Sequence, residues 1–137
     1  MLGVLDAASH ELTVITSATK RSTDFVCLLE VLDAQYAPRS GQPAIPTVIV
    51  LDNGPIHTSK LSTKALAQRP WLTVEWLPKY APELNDIERS WRDLKRHHLA
   101  NRTLLSVDDL DSKIHQAVLA MNQERVINTC CDLRIAA

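Results

Sequence analysis

The stretch TVIVLDNGPIHTSKLSTKALAQRPWLTVEWL, residues 47–77, decides the fold class. Its first residues, 47–51, are apolar or β-branched without polar alternation, which is typical of a strand buried on both faces. A helix is predicted over about 59–68 and a second strand over 71–77. A strand, a helix and a strand in such a short segment predict two parallel strands joined by a right-handed crossover. We therefore expect an α/β protein.

The segments before this unit add a hairpin and a helix. Residues 2–6 and 11–17 are short β-prone runs joined by a polar turn, which predicts an antiparallel hairpin. Apolar residues at helical spacing predict a helix over 22–36, with Ser22 or Thr23 as its cap. A loop rich in proline follows this helix and leads into the strand at 47–51.

Two helices are predicted after the second strand. The first runs from about Asn85, its expected cap, to His98, and the second covers about 107–122, with Ser106 and Asp109 as a capping box. The apolar stripe of the first comprises Leu84, Ile87, Trp91 and Leu94. The second is expected to bury Val107, Leu110, Ile114, Ala117, Val118 and Met121. The three tryptophans, Trp71, Trp76 and Trp91, are expected in the core.

Composition limits the functional classes. A chain of 137 residues with 45% hydrophobic content is one domain that can bury a core. Its formal net charge is −1, so an argument for nucleic-acid binding depends on local clusters of basic residues. Three cysteines without metal-site spacing indicate free thiols. Without a membrane-length apolar run or a signal-peptide pattern, we expect a soluble, cytoplasmic protein with no membrane partner.

Asp52 and Glu88 are the candidate carboxylates. Asp52 ends a predicted buried strand, the edge at which α/β sheets form sites, but Asp-Asn-Gly also favours an ordinary turn. Glu88 borders the apolar stripe of its helix, but it would also be the N3 capping residue if Asn85 were the N-cap. A strand-end Asp and a later helical Glu can converge on Mg²⁺ ions, which prefer oxygen ligands.

The sequence motifs around the two acids resemble those of a known family. VIVLDNGPIHTSK and WLPKYAPELNDIERSWRDLKRH, residues 48–60 and 76–97, are similar to two motifs of mariner-like DDE transposases of the bacterial insertion-sequence type. The resemblance implies an RNase H-like fold, a mixed sheet flanked by helices. It also implies Mg²⁺- or Mn²⁺-dependent DNA strand cleavage and strand transfer, with Asp52 and Glu88 as the second and third catalytic, metal-binding acids.

The resemblance also implies two absences. The family's first catalytic Asp lies on a central strand upstream of a hairpin like residues 2–17, and this sequence starts at that hairpin. We therefore expect residues 1–137 to form a partial catalytic domain without the first strand and without the helix-turn-helix that recognises transposon ends. Asp6, Asp24 and Asp33 are poor substitutes because of their predicted turn and helix positions. The chain alone is expected to be inactive or weak.

The remaining candidates surround these acids. His57 matches a histidine of the family. It could approach the substrate phosphate or orient a metal ligand, and a packed or exposed loop histidine is an equal alternative. Asn53 is expected to hold its loop by backbone hydrogen bonds, and the alternative is that it faces the metal site. A basic stripe near Glu88 is expected to contact the DNA of transposon ends and target, although a solvated helix face is the alternative. The stripe comprises Arg89, Arg92, Lys95 and Arg96, with Arg102 beyond the helix.

Three functions remain open at this point. The first is a transposase catalytic domain. The second is a non-catalytic transposase remnant that acts, if at all, through DNA binding or self-association. The third is another RNase H-like nuclease, which would need an extra carboxylate for which the sequence offers no good candidate. A sheet without its central strand exposes backbone donors and acceptors at an edge, so we expect a homodimer or a larger species.

Overall fold

A computed structural model describes residues 1–41, 45–79, 84–100 and 105–135, with side chains to residue 126. The chain divides into two compact units, one of Met1–Leu2 and Ser17–Asn85 and the other of Gly3–Thr16 and Asp86–Ala137. We call them the β3 unit and the α5 unit. The elements are β1 (Leu2–Leu5), β2 (Leu12–Ile15), α1 (Ser22–Tyr36), β3 (Thr47–Leu51), α2 (Pro55–Thr58), α3 (Lys60–Ala67), β4 (Leu72–Trp76), α4 (Ile87–Asp93), a π-helical segment (Leu94–Leu99) and α5 (Val107–Ile135).

The β3 unit contains the predicted strand–helix–strand segment. Strands β3 and β4 pair in parallel, from Thr47 with Leu72 to Leu51 with Trp76, which confirms the parallel prediction. The connection holds a short helix, α2, that the sequence pattern did not predict, before α3. Ser59 caps α3 by accepting a hydrogen bond from the Ser62 amide.

Helix α1 packs on the two helices of this connection. Its bounds agree with the prediction, and its apolar face buries Phe25, Leu28, Leu29 and Leu32. The predicted cap is wrong, because Arg21 is the N-cap and its amide donates to the Asp24 carboxylate at 2.8 Å. This contact is the arm of a capping box in which the N3 side chain accepts from the N-cap amide.

The sheet of the β3 unit differs from prediction in burial. Ile49 and Leu51 are buried, but Val48 and Val50 are 56% and 57% exposed. Successive side chains of a strand point to opposite faces, so β3 buries one face only. Trp76, expected in the core, is also exposed, whereas Trp71 and Trp91 are half-buried. The expectation of burial on both faces was therefore wrong for β3.

The α5 unit contains the predicted hairpin, in which β1 pairs with β2. The four strands of the described ranges form two separate two-stranded sheets. Helix α5 packs against β2, and the Asn122 side chain bonds both backbone groups of Leu12, at 2.8 Å to N and 3.0 Å to O. Gly3 lies so close to Thr13 and Trp91 that a Cβ there would be 2.7 Å from each.

The helices of the α5 unit begin later or extend further than predicted. Helix α4 begins at Ile87 with Asp86 as N-cap, so Asn85 is not the cap. Leu84, predicted on its apolar stripe, lies before the helix and is exposed. Ser106 does cap α5, accepting from the Asp109 amide at 3.0 Å. Four of the six residues predicted to be buried in α5 are buried, while Val107 is exposed and Leu110 is half-buried.

Candidate active site

Asp52 follows the last residue of β3, at the carboxyl end of the parallel pair. Its Oδ1 accepts a hydrogen bond from the Gly54 amide at 2.9 Å, and its side chain is 55% exposed. This Asx-type contact is the turn chemistry that Asp-Asn-Gly favours. The turn uses one carboxylate oxygen only, so the turn and site interpretations of Asp52 are compatible.

Asn53 connects the ends of the two strands. Its Nδ2 donates to the Leu77 carbonyl at 2.7 Å, next to a backbone bond from the Leu77 amide to the Leu51 carbonyl at 2.8 Å. This side-chain bond joins the ends of the two strands and supports the loop that follows Asp52. This structural role is the one we expected from the sequence.

His57 lies on α2 with its ring turned back toward Asp52. Its Nε2 is 3.5 Å from Asp52 Oδ1, and its side chain is 14% exposed. The ring packs edge-on against Phe25 of α1, with ring centroids 4.5 Å apart and an interplanar angle of 80°. Burial lowers the pKa of His57, while the nearby Asp52 carboxylate acts in the opposite direction. The ring Nδ1 is buried and has no hydrogen-bond partner in the described part of the chain.

Glu88 occupies the first turn of α4 and is exposed. Because the N-cap is Asp86, Glu88 is at N2 and not at the N3 position that a capping box requires. The cap interpretation based on Asn85 is therefore wrong. A carboxylate in a helix's first turn is still favoured by the helix dipole.

The basic stripe on the same helix is exposed, including Arg89, Arg92, Lys95 and Arg96. The expected shared face holds for Glu88 and Arg92, which are four residues apart within α4. Lys95 and Arg96 lie in the π-helical segment, whose turns contain more residues. Their side chains are therefore rotated away from the positions that α-helical spacing predicts. Arg102 lies outside the described residues.

The three other acids weighed as substitutes all have structural partners. Asp6 accepts from the amides of Ala8 and Ser9 in the hairpin turn. Asp33 pairs with the Arg69 guanidinium at 2.6 Å. The Arg21 amide is the main cause of the lowered pKa of Asp24. Each of the three acids thus has a structural role, and the expectation that none replaces the family's first catalytic Asp stays a prediction.

Comparisons with known proteins agree with the resemblance noted in the sequence. The family model described as "DDE superfamily endonuclease" matches residues 1–111. The chain belongs to this family. A curated relative, "Insertion element IS630 uncharacterized 39 kDa protein" of Shigella sonnei, is 27% identical over 114 residues. That alignment covers 83% of this chain and 32% of the relative, so the chain spans about a third of the relative's length.

A solved structure shows the fold. A chain from the cryoEM structure of the simian T-cell lymphotropic virus intasome in complex with PP2A regulatory subunit B56 gamma superposes with a TM-score of 0.64 and 19% identity. The superposition covers 85% of this chain and 39% of that chain. The fold is RNase H-like, as expected.

Endonucleases of this superfamily generally use divalent metal ions. Asp52 fits such an ion, because both contacts of its carboxylate use Oδ1 and the side chain is exposed. Across the described ranges, no group of three His, Cys, Asp or Glu side chains could hold a metal ion. Asp52, Asn53 and His57 belong to the β3 unit, whereas Glu88 and the basic stripe belong to the α5 unit.

Sequence patterns missed two features of this site. The edge contact between Phe25 and His57 joins residues from two helices, and a single sequence carries no signal for it. The π-helical segment also lacks a sequence signal, although such segments are frequent at functional sites. Among the described residues, no helix is both long and apolar enough to cross a membrane.

Proposed function

We propose that this chain is a partial catalytic domain of a bacterial insertion-sequence transposase, acting in metal-dependent DNA strand cleavage and strand transfer. The observation that carries the proposal is the position of Asp52. It lies at the carboxyl end of β3, with one carboxylate oxygen held by Gly54 and the side chain open to solvent.

Asp52 and Glu88 are the proposed catalytic and metal-binding residues, and Mg²⁺ or Mn²⁺ is the proposed cofactor. Bound metal ions would activate the attacking oxygen and stabilise the leaving oxygen. Asn53 holds the loop that carries Asp52 through its bond to the Leu77 carbonyl. Glu88 contributes a carboxylate that no cap interaction occupies, since it is at N2.

Metal-directed backbone cleavage tests the proposed pair. Fe²⁺ replaces Mg²⁺ at oxygen sites and, with ascorbate and peroxide, cuts the chain near the bound ion. We expect cuts close to both Asp52 and Glu88, and we expect Asp52→Asn to weaken both sets. Asp108→Asn changes an exposed acid at the start of α5 and serves as the matched control. Cuts that persist at both places in Asp52→Asn would contradict the proposal.

Activity requires more than these two acids. Because no third acid is assigned beside Asp52 and Glu88, we expect the purified chain to be weak or inactive in strand transfer. A cleavage assay on insertion-element end DNA with Mg²⁺ or Mn²⁺ tests this expectation. Robust cleavage by the wild-type chain that is lost in Asp52→Ala would show that a third acid is not needed.

The exposed basic stripe is the proposed DNA surface. Each phosphate contact by a basic side chain releases counterions and adds about 0.9 to the slope of log affinity against log salt concentration. We expect Arg92→Ala with Arg96→Ala to lower this slope by about 2 in fluorescence anisotropy with duplex DNA. Arg39→Ala changes an exposed arginine of the β3 unit and serves as the control. An unchanged slope would favour a solvated face.

Self-association is the second candidate function, and the exposed face of β3 favours it. Val48 and Val50 are more than half exposed, and β4 is the strand that pairs with β3 in the described ranges. In the other sheet, by contrast, backbone groups of β2 already have a partner, because the Asn122 side chain bonds the N and O of Leu12. We therefore propose that two copies associate through β3 into a homodimer or a larger species.

Light scattering over a concentration series tests the association. We expect the wild-type chain to form dimers or larger species as concentration rises. Val50→Lys should reduce association, because it places a charge on the apolar face of an edge strand. Leu119→Lys, at a position 62% exposed on α5, is the matched control. A monomer at all concentrations would contradict this second function.

A further inference from the structure

His57, on α2, contacts both an aromatic ring and the Asp52 carboxylate, which is more than a packed residue needs. Its ring is held on one side by the edge contact with Phe25, and its Nε2 lies near the same Asp52 oxygen that accepts from Gly54. Asp52 Oδ1 is thus approached by a backbone amide at 2.9 Å and an imidazole nitrogen at 3.5 Å. Both approaches restrict the carboxylate, and neither uses Oδ2.

The two ring nitrogens of His57 differ in their surroundings. Nε2 faces a carboxylate acceptor, whereas Nδ1 is buried without a hydrogen-bond partner in the described part of the chain. A neutral imidazole carries one proton, and the nitrogen that faces an acceptor keeps it. The contact therefore favours the tautomer with the proton on Nε2, whose N–H faces Asp52 Oδ1 at 3.5 Å, longer than an ordinary hydrogen bond.

We propose that His57 is a positioning residue that holds the Asp52 carboxylate in one rotamer, with Oδ1 occupied and Oδ2 presented to a divalent metal ion. This inference rests on the proposed function, since it assigns a role toward the metal. His57 acts through Asp52 and is not itself a metal ligand. The packing of Phe25 fixes the imidazole, and the imidazole and the Gly54 amide together fix the carboxylate. Groups that contact a metal ligand from behind commonly orient it in this way.

Two substitutions separate donation from packing. His57→Phe keeps a ring against Phe25 but removes the donor. His57→Gln carries an amide donor about as far from the backbone as Nε2 and therefore should restore the contact. His115→Phe is the matched control, because His115 Nδ1 lies 3.6 Å from Asp111 Oδ1 on the surface of α5, outside the proposed site.

The first measurement is made by NMR without metal. Three-bond couplings report the χ1 rotamer of Asp52, and imidazole nitrogen shifts report the tautomer of His57. In the wild-type chain we expect one dominant Asp52 rotamer and the Nε2-protonated tautomer. In His57→Phe we expect averaged couplings, and in His57→Gln a dominant rotamer again. An Nδ1-protonated tautomer in the wild-type chain overturns the inference without any variant.

The second measurement is Mn²⁺ affinity, from paramagnetic broadening of the amides around residues 52–54. We expect His57→Phe to weaken Mn²⁺ binding by roughly tenfold, the low end of what loss of such a partner costs. His57→Gln should recover most of the affinity, and His115→Phe should match the wild-type chain. If Asp52 keeps one rotamer in His57→Phe, or if Mn²⁺ affinity is unchanged in that variant, the inference is overturned but the proposed function is not. A wild-type chain that is ordered at Asp52 but binds no Mn²⁺ overturns the proposed function as well.

Discussion

The loop after β3 and the first turn of α4 place their acids in different ways. At the first, Asp52 is held by the Gly54 amide and approached by the His57 ring. At the second, Glu88 is an exposed N2 residue, and its neighbour Arg92 is also exposed. A side chain that is ordered in advance loses less conformational entropy on binding. Asp52 is therefore the prearranged partner of the proposed pair, and Glu88 is the adaptable one.

The largest expected effects come from the cores that support these two regions. Phe25 is 1% exposed and contacts His57, whereas Leu94 is 0% exposed in the π-helical segment. We expect Phe25→Ala to lower the free energy of unfolding by about 3–5 kcal/mol and Leu94→Ala by about 2–5 kcal/mol. Urea unfolding followed by circular dichroism measures both losses. A loss below about 1 kcal/mol at either position would contradict the packing described.

An added methyl group should affect stability in one unit and metal affinity in the other. In Gly3→Ala, the Cβ would lie 2.7 Å from the Thr13 carbonyl and from the Trp91 ring, so we expect a loss of stability of about 1–3 kcal/mol. In Gly54→Ala, the Cβ would lie 2.7 Å from Asp52 Oδ1, the end of a flexible side chain. The φ angle of Gly54 is −62°, which alanine adopts without strain.

We therefore expect Gly54→Ala to displace the carboxylate with little change in stability. Its Mn²⁺ affinity should fall by roughly tenfold, the effect of losing a partner that orients a ligand. Urea unfolding and Mn²⁺ titration of both alanine variants provide the comparison. Wild-type Mn²⁺ affinity in Gly54→Ala would show that the held carboxylate is unimportant for binding.

Much of the fold follows from local sequence patterns. The bounds of α1 and β3 and the cap at Ser106 agree with helical spacing, a β-branched run and capping chemistry. These features depend on near neighbours in the chain, which a sequence displays directly. The exposure of Val48 and Val50 could not be predicted, because burial of a strand face depends on which elements cover it.

The candidate site likewise has some features that local sequence patterns predict and others that they do not. Asp52 and the loop role of Asn53 follow from the strand end and from Asp-Asn-Gly turn chemistry. The cap position of Glu88 was wrong by one residue, because Asp86 and not Asn85 is the N-cap of α4. The contact of His57 with Phe25 depends on tertiary packing between α1 and α2, which no local pattern contains.

A smaller effect is expected from pH in the β3 unit. Burial lowers the pKa of His57 in the folded chain below its ordinary value of 6.5. At pH values between the lowered pKa and the ordinary pKa, the unfolded chain therefore binds more protons than the folded chain. The free energy of unfolding should therefore fall as pH decreases from about 7 through this range. The pKa values of Asp24 and Asp109 are lowered from 3.8, so their contributions are lost only at more acidic pH. His57→Phe should flatten the dependence in urea midpoints measured between about pH 7 and pH 5. An unchanged slope in that variant would contradict the burial of the imidazole.

The most direct test of the central claim is a double-mutant cycle of Mn²⁺ affinity, measured by isothermal titration with Asp52→Asn, Glu88→Gln, both together, and Asp108→Asn as control. If both acids hold the same ions, each single substitution should weaken binding by at least about tenfold, and the double substitution should add much less than the sum of the two losses. Asp108→Asn should match the wild-type chain. Wild-type affinity in either single variant, or losses that add fully in the double variant, would contradict a shared metal site.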